Sequence, residues 1–168
     1  LVAPEQYGSR NGKRAVEHAV NKRITYDILR QTRLPGAMCS NDAKSCYDRI
    51  LHSVATLAFR RLGIEVESVK CMFSTIGEME HHTRTAYGTS TRTYSSAGRL
   101  IPFQGVLQGN SAGPIIWVVV STPLLNMLRT AGHGAHLLTA ISKASSHFVG
   151  YAFVDDTDLP TLNVRDGI

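Results

Sequence analysis

Asp155 and Asp156 stand side by side directly after His147 to Val154, an apolar stretch that reads as a strand. Folding alone gives no reward for two adjacent carboxylates, because like charges raise each other's pKa unless cations compensate. A bound metal would explain the pair, although a strand followed by Asp-Asp is also a common turn. Asp42 changes the comparison. It too ends a predicted strand, more than a hundred residues upstream, and is followed by Tyr47 and Asp48. Two strand-end carboxylate groups brought together could hold a pair of hard cations, Mg²⁺ or in its place Mn²⁺. In that arrangement one ion would lower the pKa of an attacking 3′-hydroxyl, and the other would neutralise charge on a triphosphate as pyrophosphate leaves. The protein would then mainly position and screen.

Such a site needs elements that bring distant strand ends together. From Gly12 to Arg33, Ala15, Val16, Ala19, Val20, Ile24, Ile28 and Leu29 recur at helical spacing, and Leu34-Pro35-Gly36 ends the pattern. Ala37 to Asp42 reads as a short strand. Two helices are predicted over Asp48 to Leu62 and Glu65 to Glu80, separated by Gly63. His82 to Tyr94 reads as an exposed antiparallel hairpin, followed by a turn at Gly98 and the apolar segment Leu100 to Phe103. After Gln104 to Gly109 an apolar helix begins near Pro114, a residue suited to a first turn, and runs to about Arg129 before Gly132 and Gly134. Leu159 to Val164 is a possible return strand broken by Pro160. No internal repeat or low-complexity tract is present.

Composition sets outer limits. With 168 residues, 43% of them apolar and 18% charged, the chain can bury a core as one globular unit. Between Arg10 and Arg33 lie seven basic and two acidic residues, which accounts for the whole net charge of +5. That asymmetry points to a basic N-terminal face suited to phosphate. A solvated helix side is the plainer alternative. Cys39, Cys46 and Cys71 form no C-x-x-C and have no His at zinc-finger spacing, so they read as reduced thiols in an intracellular protein. Ile115 to Val120 is far shorter than a membrane span, and no signal peptide opens the chain, which predicts a soluble protein. The histidines show no metal-ligand grouping.

Three segments together resemble the palm motifs of reverse transcriptases, in the same order: Asp42-Ala-Lys-Ser-Cys-Tyr47-Asp48, Gln104-Gly-Val-Leu-Gln108-Gly109-Asn-Ser-Ala-Gly-Pro114 and Phe153-Val-Asp155-Asp156. The opening Gln6-Tyr7-Gly8-Ser9-Arg10-Asn-Gly12-Lys13 is similar to the fingers-side motif of the non-LTR retrotransposon and group II intron branch. The resemblance implies an α+β fold: a palm-like antiparallel sheet on helices over residues 36–168, with a basic fingers-side segment over residues 1–35. It further implies that Asp42 and Asp155 ligate two catalytic metal ions with support from Asp156. Tyr47 would sit under the incoming sugar and clash with a ribose 2′-hydroxyl. Gln108 and Gly109 would line the nucleotide pocket. Arg10, Lys13 and Arg14 are candidates for triphosphate or template phosphate contacts. The implied reaction is addition of a dNTP to a primer 3′ end, templated by RNA or DNA.

There are departures from the pattern. Phe153 stands where many relatives carry Tyr. The chain begins without Met and stops twelve residues after Asp156, so it reads as a fragment of a longer enzyme, lacking the later Lys-bearing palm motif, the thumb and the N-terminal fingers strands, and need not be active alone. Asp48 could cap the helix expected to start there. Two other readings stand beside this one. An RNA-dependent RNA polymerase shares the palm logic but usually places a second Asp at the position of Tyr47. A decayed retroelement relic, or a nucleic-acid-binding palm module, would keep the shape without catalysis.

Overall fold

A computed structural model describes residues 2–95, 104–138 and 141–162. The turn expected at Gly98, the segment Leu100 to Phe103 and the end of the return strand at Val164 lie outside the described residues. In chain order the elements are α1 (Ala15–Thr32), β1 (Ala37–Asp42), a 3₁₀ turn (Tyr47–Arg49), α2 (His52–Arg61), α3 (Val66–Glu78), β2 (His81–Thr85) and β3 (Gly88–Tyr94), then α4 (Gly113–Thr130), β4 (Ala135–Leu138), β5 (Ser145–Phe148), β6 (Tyr151–Phe153) and β7 (Asp156–Thr161). Every strand pairing between them is antiparallel, giving a three-stranded sheet of order β1-β7-β6 and two separate hairpins, β2-β3 and β4-β5. The fold is α+β, with helices packed around a small antiparallel sheet.

The main core is helical. Ala55 of α2, Val69, Phe73 and Ile76 of α3, and Ile116 of α4 bury together with Ile50 and Val106 from the intervening loops. Helix α4 is apolar on nearly every side because it is covered twice: one face meets α2, while Leu125 packs with Ala3 and Ala152 beside the sheet. Pro114 occupies its first turn, where a missing N–H costs nothing. No described helix is long and apolar enough to cross a membrane.

Several elements differ from their sequence expectation. Helix α2 starts at His52 rather than Asp48, because Tyr47–Arg49 tightens into a 3₁₀ turn and Leu51 is extended. Asp48 therefore caps nothing there; the His52 N–H donates instead to the side-chain carbonyl of Gln104 (3.2 Å). The strand expected from His147 to Val154 is interrupted at Val149–Gly150, where a Cβ on Gly150 would lie 2.6 Å from the Asp158 carbonyl. Strand β7 runs through Pro160, which is tolerated because β6 extends only as far as the partner of Asp158 and leaves that side of β7 open.

Helix α1 also packs on an unexpected face. The apolar stripe faces outward, with Val16, Val20 and Ile24 exposed, and the face turned to the sheet is polar. The strand partners decide this. Thr25 meets the Tyr151 hydroxyl at 2.5 Å, His18 packs edge-on against Tyr7 and Tyr151, and the Lys22 ammonium lies 2.5 Å from the buried Asp158 carboxylate. Ser40 of β1 donates to the other Asp158 oxygen, so one carboxylate ties α1, β1 and β7 together.

Burial alone would push the Asp158 carboxyl up, but hydrogen bonds from Lys22 and Ser40 and the charges of Lys22 and His18 outweigh it and hold the group below its ordinary value. Folding thus favours the ionised form. Its contribution is complete above the unfolded pKa of about 3.9 and is lost as pH falls through the lower folded value. Lys22→Met should cost roughly 2 kcal/mol, less than a fully buried pair because the lysine is partly exposed. Asp158→Asn should flatten the acid limb of the stability curve below about pH 4. Urea unfolding at pH 3 and pH 7 checks both.

Candidate active site

The β1–β7 ladder sets the site. Its register places Asp42, the last residue of β1, directly opposite Asp156, the first residue of β7, while Asp155 stands one residue earlier in the β6–β7 turn. The Ala43 N–H donates to the Asp155 carbonyl (3.4 Å), which closes the two chain segments at the strand ends. A cavity of about 470 Å³ opens there, its wall carrying Asp42, Lys44, Cys46, Tyr47, Gln108 and Asp155.

Each wall residue has a local cause. The 3₁₀ turn after β1 swings Tyr47 back beneath the strand end. Val106 N–H donates to the Tyr47 carbonyl and Gly105 N–H to the Ile50 carbonyl, both at 2.8 Å, and this pins the following loop so that Gln108 joins Tyr47 in lining the cavity. The Gly105 carbonyl also meets His52 Nε2 at 2.6 Å, and the His52 ring stacks on Phe73. Gly113 opens α4 and leaves room for the Tyr47 ring, 3.5 Å from where its Cβ would stand. Asp155 is carried on a two-residue turn whose other member, Val154, has φ +57°. That conformation costs a β-branched residue about 1–3 kcal/mol, so neighbouring contacts must enforce it.

The electrostatics keep the groups beside the carboxylates neutral. Burial, and then the negative charge of Asp155, push the Cys46 thiol up to about 11, with the Asp42 charge adding to the effect. The thiol therefore stays protonated next to Asp155. Burial, and then the charges of Cys46 and Asp155, raise the Tyr47 hydroxyl as well.

Of the residues singled out from the sequence, the structure brings Asp42, Asp155, Tyr47 and Gln108 onto one cavity. Asp156 is exposed and lies beside that wall, opposite Asp42 in the ladder. Gly109 follows Gln108 at φ +94° with open space around the position of a Cβ, so its backbone conformation, and no close neighbour, favours glycine. Arg10 and Lys13 sit elsewhere. The Arg10 guanidinium donates to the Ala3 and Gln6 carbonyls (2.9 and 3.2 Å), and the Lys13 ammonium lies 4.8 Å from the Tyr7 ring centre. Neither lines the cavity. Arg14, Arg23, Arg30 and Arg33 are exposed on or beside α1, a cationic surface suited to a polyanion. Lys44 and Cys46 were not singled out from the sequence, although both stand inside the Asp42–Asp48 segment.

Asp42 and Asp155 are the residues that could hold a hard divalent cation. Among the described residues, no three His, Cys, Asp or Glu side chains form a ready-made metal cage. Mg²⁺ does not need one: it commonly takes one or two carboxylates, with water and substrate phosphates completing the shell. A cavity wall with three carboxylates, Asp42, Asp48 and Asp155, and an adjacent lysine fits that mode of binding.

No family model matches the sequence, and no curated protein matches it either. Solved structures do. Telomerase from Candida albicans in complex with a TWJ fragment of telomeric RNA superposes with a TM-score of 0.57 at 14% identity, over 96% of this chain and 28% of that one. Apo telomerase from Candida tropicalis, truncated from its C-terminal domain, gives 0.55 at 16% identity over 96% and 30%. Telomerase from Candida tropicalis with a TWJ fragment of telomeric RNA gives 0.51 at 17% identity over 97% and 27%. The chain thus spans under a third of the length of each neighbour. At these identities the likeness is one of fold, and the fold of this chain is reverse-transcriptase-like.

Proposed function

We propose that the chain is the palm and adjoining fingers edge of an RNA-directed DNA polymerase, which adds dNTPs to a primer 3′ end on an RNA or DNA template. The observation that carries this reading is the convergence of Asp42 and Asp155 on one cavity with Tyr47 and Gln108, on a reverse-transcriptase-like fold. Mg²⁺ ions held by Asp42 and Asp155, with Asp156 alongside, would supply activation of the 3′-hydroxyl and screening of the triphosphate. Lys44 adds a cation on the same wall, suited to phosphate oxygens. Tyr47 lines the same cavity and in this reading would lie beneath the incoming sugar, and the exposed arginines of α1 suit the nucleic acid backbone. The segment Gln6 to Lys13 supports a place near the non-LTR retrotransposon and group II intron branch. Neighbours solved with telomeric RNA are in keeping with a nucleic acid partner.

Primer extension by the full gene product, with Mg²⁺ and either dNTPs or NTPs, tests the proposal. Incorporation of dNTPs is expected, and Tyr47→Ala should admit NTPs about 10- to 100-fold better by removing the bulk beneath the ribose. Preferential NTP incorporation by the unaltered protein would make it an RNA polymerase instead. Salt-dependent binding of primer-template with no extension would leave a nucleic-acid-binding palm module.

A further inference from the structure

The turn that carries Asp155 is held from outside by residues remote from it in sequence. Gln6 is wholly buried, and its side-chain amide brackets the backbone of Val154: Oε1 accepts from the Val154 N–H (2.9 Å) while Nε2 donates to the Val154 carbonyl (3.2 Å). The remaining capacity of that amide is also used, since Oε1 accepts from the Gly8 N–H (3.1 Å) and Nε2 reaches Ser121 Oγ at 3.5 Å. From the other side, Trp117 of α4 donates its indole N–H to the same Val154 carbonyl at 2.6 Å. Gly8 presses so close that a Cβ there would lie 2.5 Å from the Val154 nitrogen. The Glu5–Tyr7 backbone is itself fixed along β6, with Tyr7 N–H donating to the Ala152 carbonyl (2.7 Å) and Ala152 N–H to the Glu5 carbonyl (3.0 Å). A valine at φ +57° is a conformation the turn would leave if released. Gln6, Trp117 and Gly8 thus converge on the one residue that precedes Asp155.

We propose that Gln6 and Trp117 are positioning residues, which hold Val154 in its left-handed conformation and so aim the Asp155 carboxylate at the Asp42 side of the cavity. The inference rests on the reading of Asp155 as a metal-holding residue. A single amide that accepts from the Val154 N–H and donates to the Val154 carbonyl ties together the two peptide units that flank its Cα, and so restrains both φ and ψ of that residue. Without that bracket the tip relaxes toward negative φ, and the carboxylate swings with the peptide it follows.

Trp117→Phe keeps an aromatic ring but removes the donor together with part of the indole's bulk; Gln6→Met removes the amide and keeps the length. The metal-free chain is followed by amide hydrogen exchange at Val154, and Mn²⁺ affinity by water-proton relaxation. For the full gene product, kcat and KM for dNTP are measured as well. Trp117→Phe should speed Val154 exchange, weaken Mn²⁺ about tenfold and lower kcat by a similar factor with little change in KM, while the thermal midpoint falls by a few degrees from the lost indole packing. Adding Val154→Gly should recover much of the lost Mn²⁺ affinity, because glycine adopts positive φ without strain and needs no bracket. A merely structural tryptophan predicts no such rescue. The inference is overturned if Trp117→Phe leaves Val154 exchange and Mn²⁺ affinity unchanged, or if Val154→Gly deepens the defect. Should the unaltered protein take up no Mn²⁺ and extend no primer, the proposed function falls. The bracket is then judged by Val154 exchange alone, with faster exchange in Trp117→Phe supporting it and unchanged exchange refuting it.

Discussion

Asp155→Asn should reduce nucleotide addition by about 10³-fold or more while leaving the protein folded. Metal-held charge stabilisation contributes several kcal/mol to such reactions, and each 1.36 kcal/mol is a factor of ten in rate. The substitution keeps shape and removes one oxygen's negative charge. Asp155 is only half-buried at a turn tip, and among the described residues it enters no ion pair, so little stability depends on it. The same exchange has an independent signature at Cys46. Since the Asp155 charge is the second cause of the raised thiol pKa, after burial, its removal should bring that pKa down from about 11. A Cys46 titration that moves while the thermal midpoint stays put would show that the Asp155 carboxylate stands beside the thiol in the intact fold. Single-nucleotide addition measured alongside gives the rate. Activity within tenfold of the unaltered protein would refute the metal-holding role.

The largest structural effect is expected at a glycine. Gly105 has φ +87°, and a Cβ there would stand 2.6 Å from the Cα and carbonyl oxygen of Asp48. Both neighbours are backbone and cannot turn aside. Gly105→Ala must either displace the 3₁₀ turn or break the hydrogen bonds to Ile50 and from Val106 to Tyr47 that clamp the loop to it. Left-handed strain and overpacking each cost about 1–3 kcal/mol, so together roughly 3–4 kcal/mol is lost. For a chain of this size that lowers the thermal midpoint by about 10 °C. The site should suffer more than the global fold, because Tyr47 and Gln108 hang on the two halves of that clamp. A thermal scan with dNTP-dependent activity checks both. A midpoint within 2 °C or so of the unaltered protein would mean the loop is free to shift.

How much of this was legible in the sequence depends on whether the cause was local. The β2–β3 hairpin follows from Thr and Tyr β-formers around Gly88, strand β1 from the Pro35-Gly36 stop that precedes it, and α4 from an apolar run entered through Pro114; all lie where the pattern puts them. The face of α1 was not legible. Periodicity marks an apolar stripe, but the sheet offers Tyr151 and Asp158, and those select Thr25 and Lys22 instead. Strands β4 and β5 were not read as a hairpin because Ala135–Leu138 is too short to signal a strand by itself, and its partner Ser145–Phe148 is mostly polar. The tight turn also moved by one residue. Asp155-Asp156 looks like the turn, whereas the chain reverses at Val154-Asp155 and Asp156 already belongs to β7.

The site divides in the same way. Asp42, Tyr47, Gln108 and Asp155 could be singled out because residue type and motif order mark them, and the fold brings those four to one wall. Gln6 carries no such mark beyond its place in the opening motif, and Trp117 carries none. Their importance arises from two hydrogen bonds to a backbone carbonyl 148 and 37 residues away, which no local pattern encodes. Arg10 is a candidate for phosphate from its type and motif place; that one nitrogen of its guanidinium, Nη1, bonds two nearby carbonyls is a contact no local pattern encodes.

The central claim is that Asp42 and Asp155 share divalent cations during nucleotide addition. Anomalous scattering from crystals of the protein grown with primer-template, Mn²⁺ and a non-hydrolysable dNTP measures this directly. The account predicts Mn²⁺ within about 2.0–2.2 Å of carboxylate oxygens from both Asp42 and Asp155, with two ions about 3.5–4 Å apart. Mn²⁺ bound away from both carboxylates, with a dNTP seated elsewhere on the protein, would contradict it.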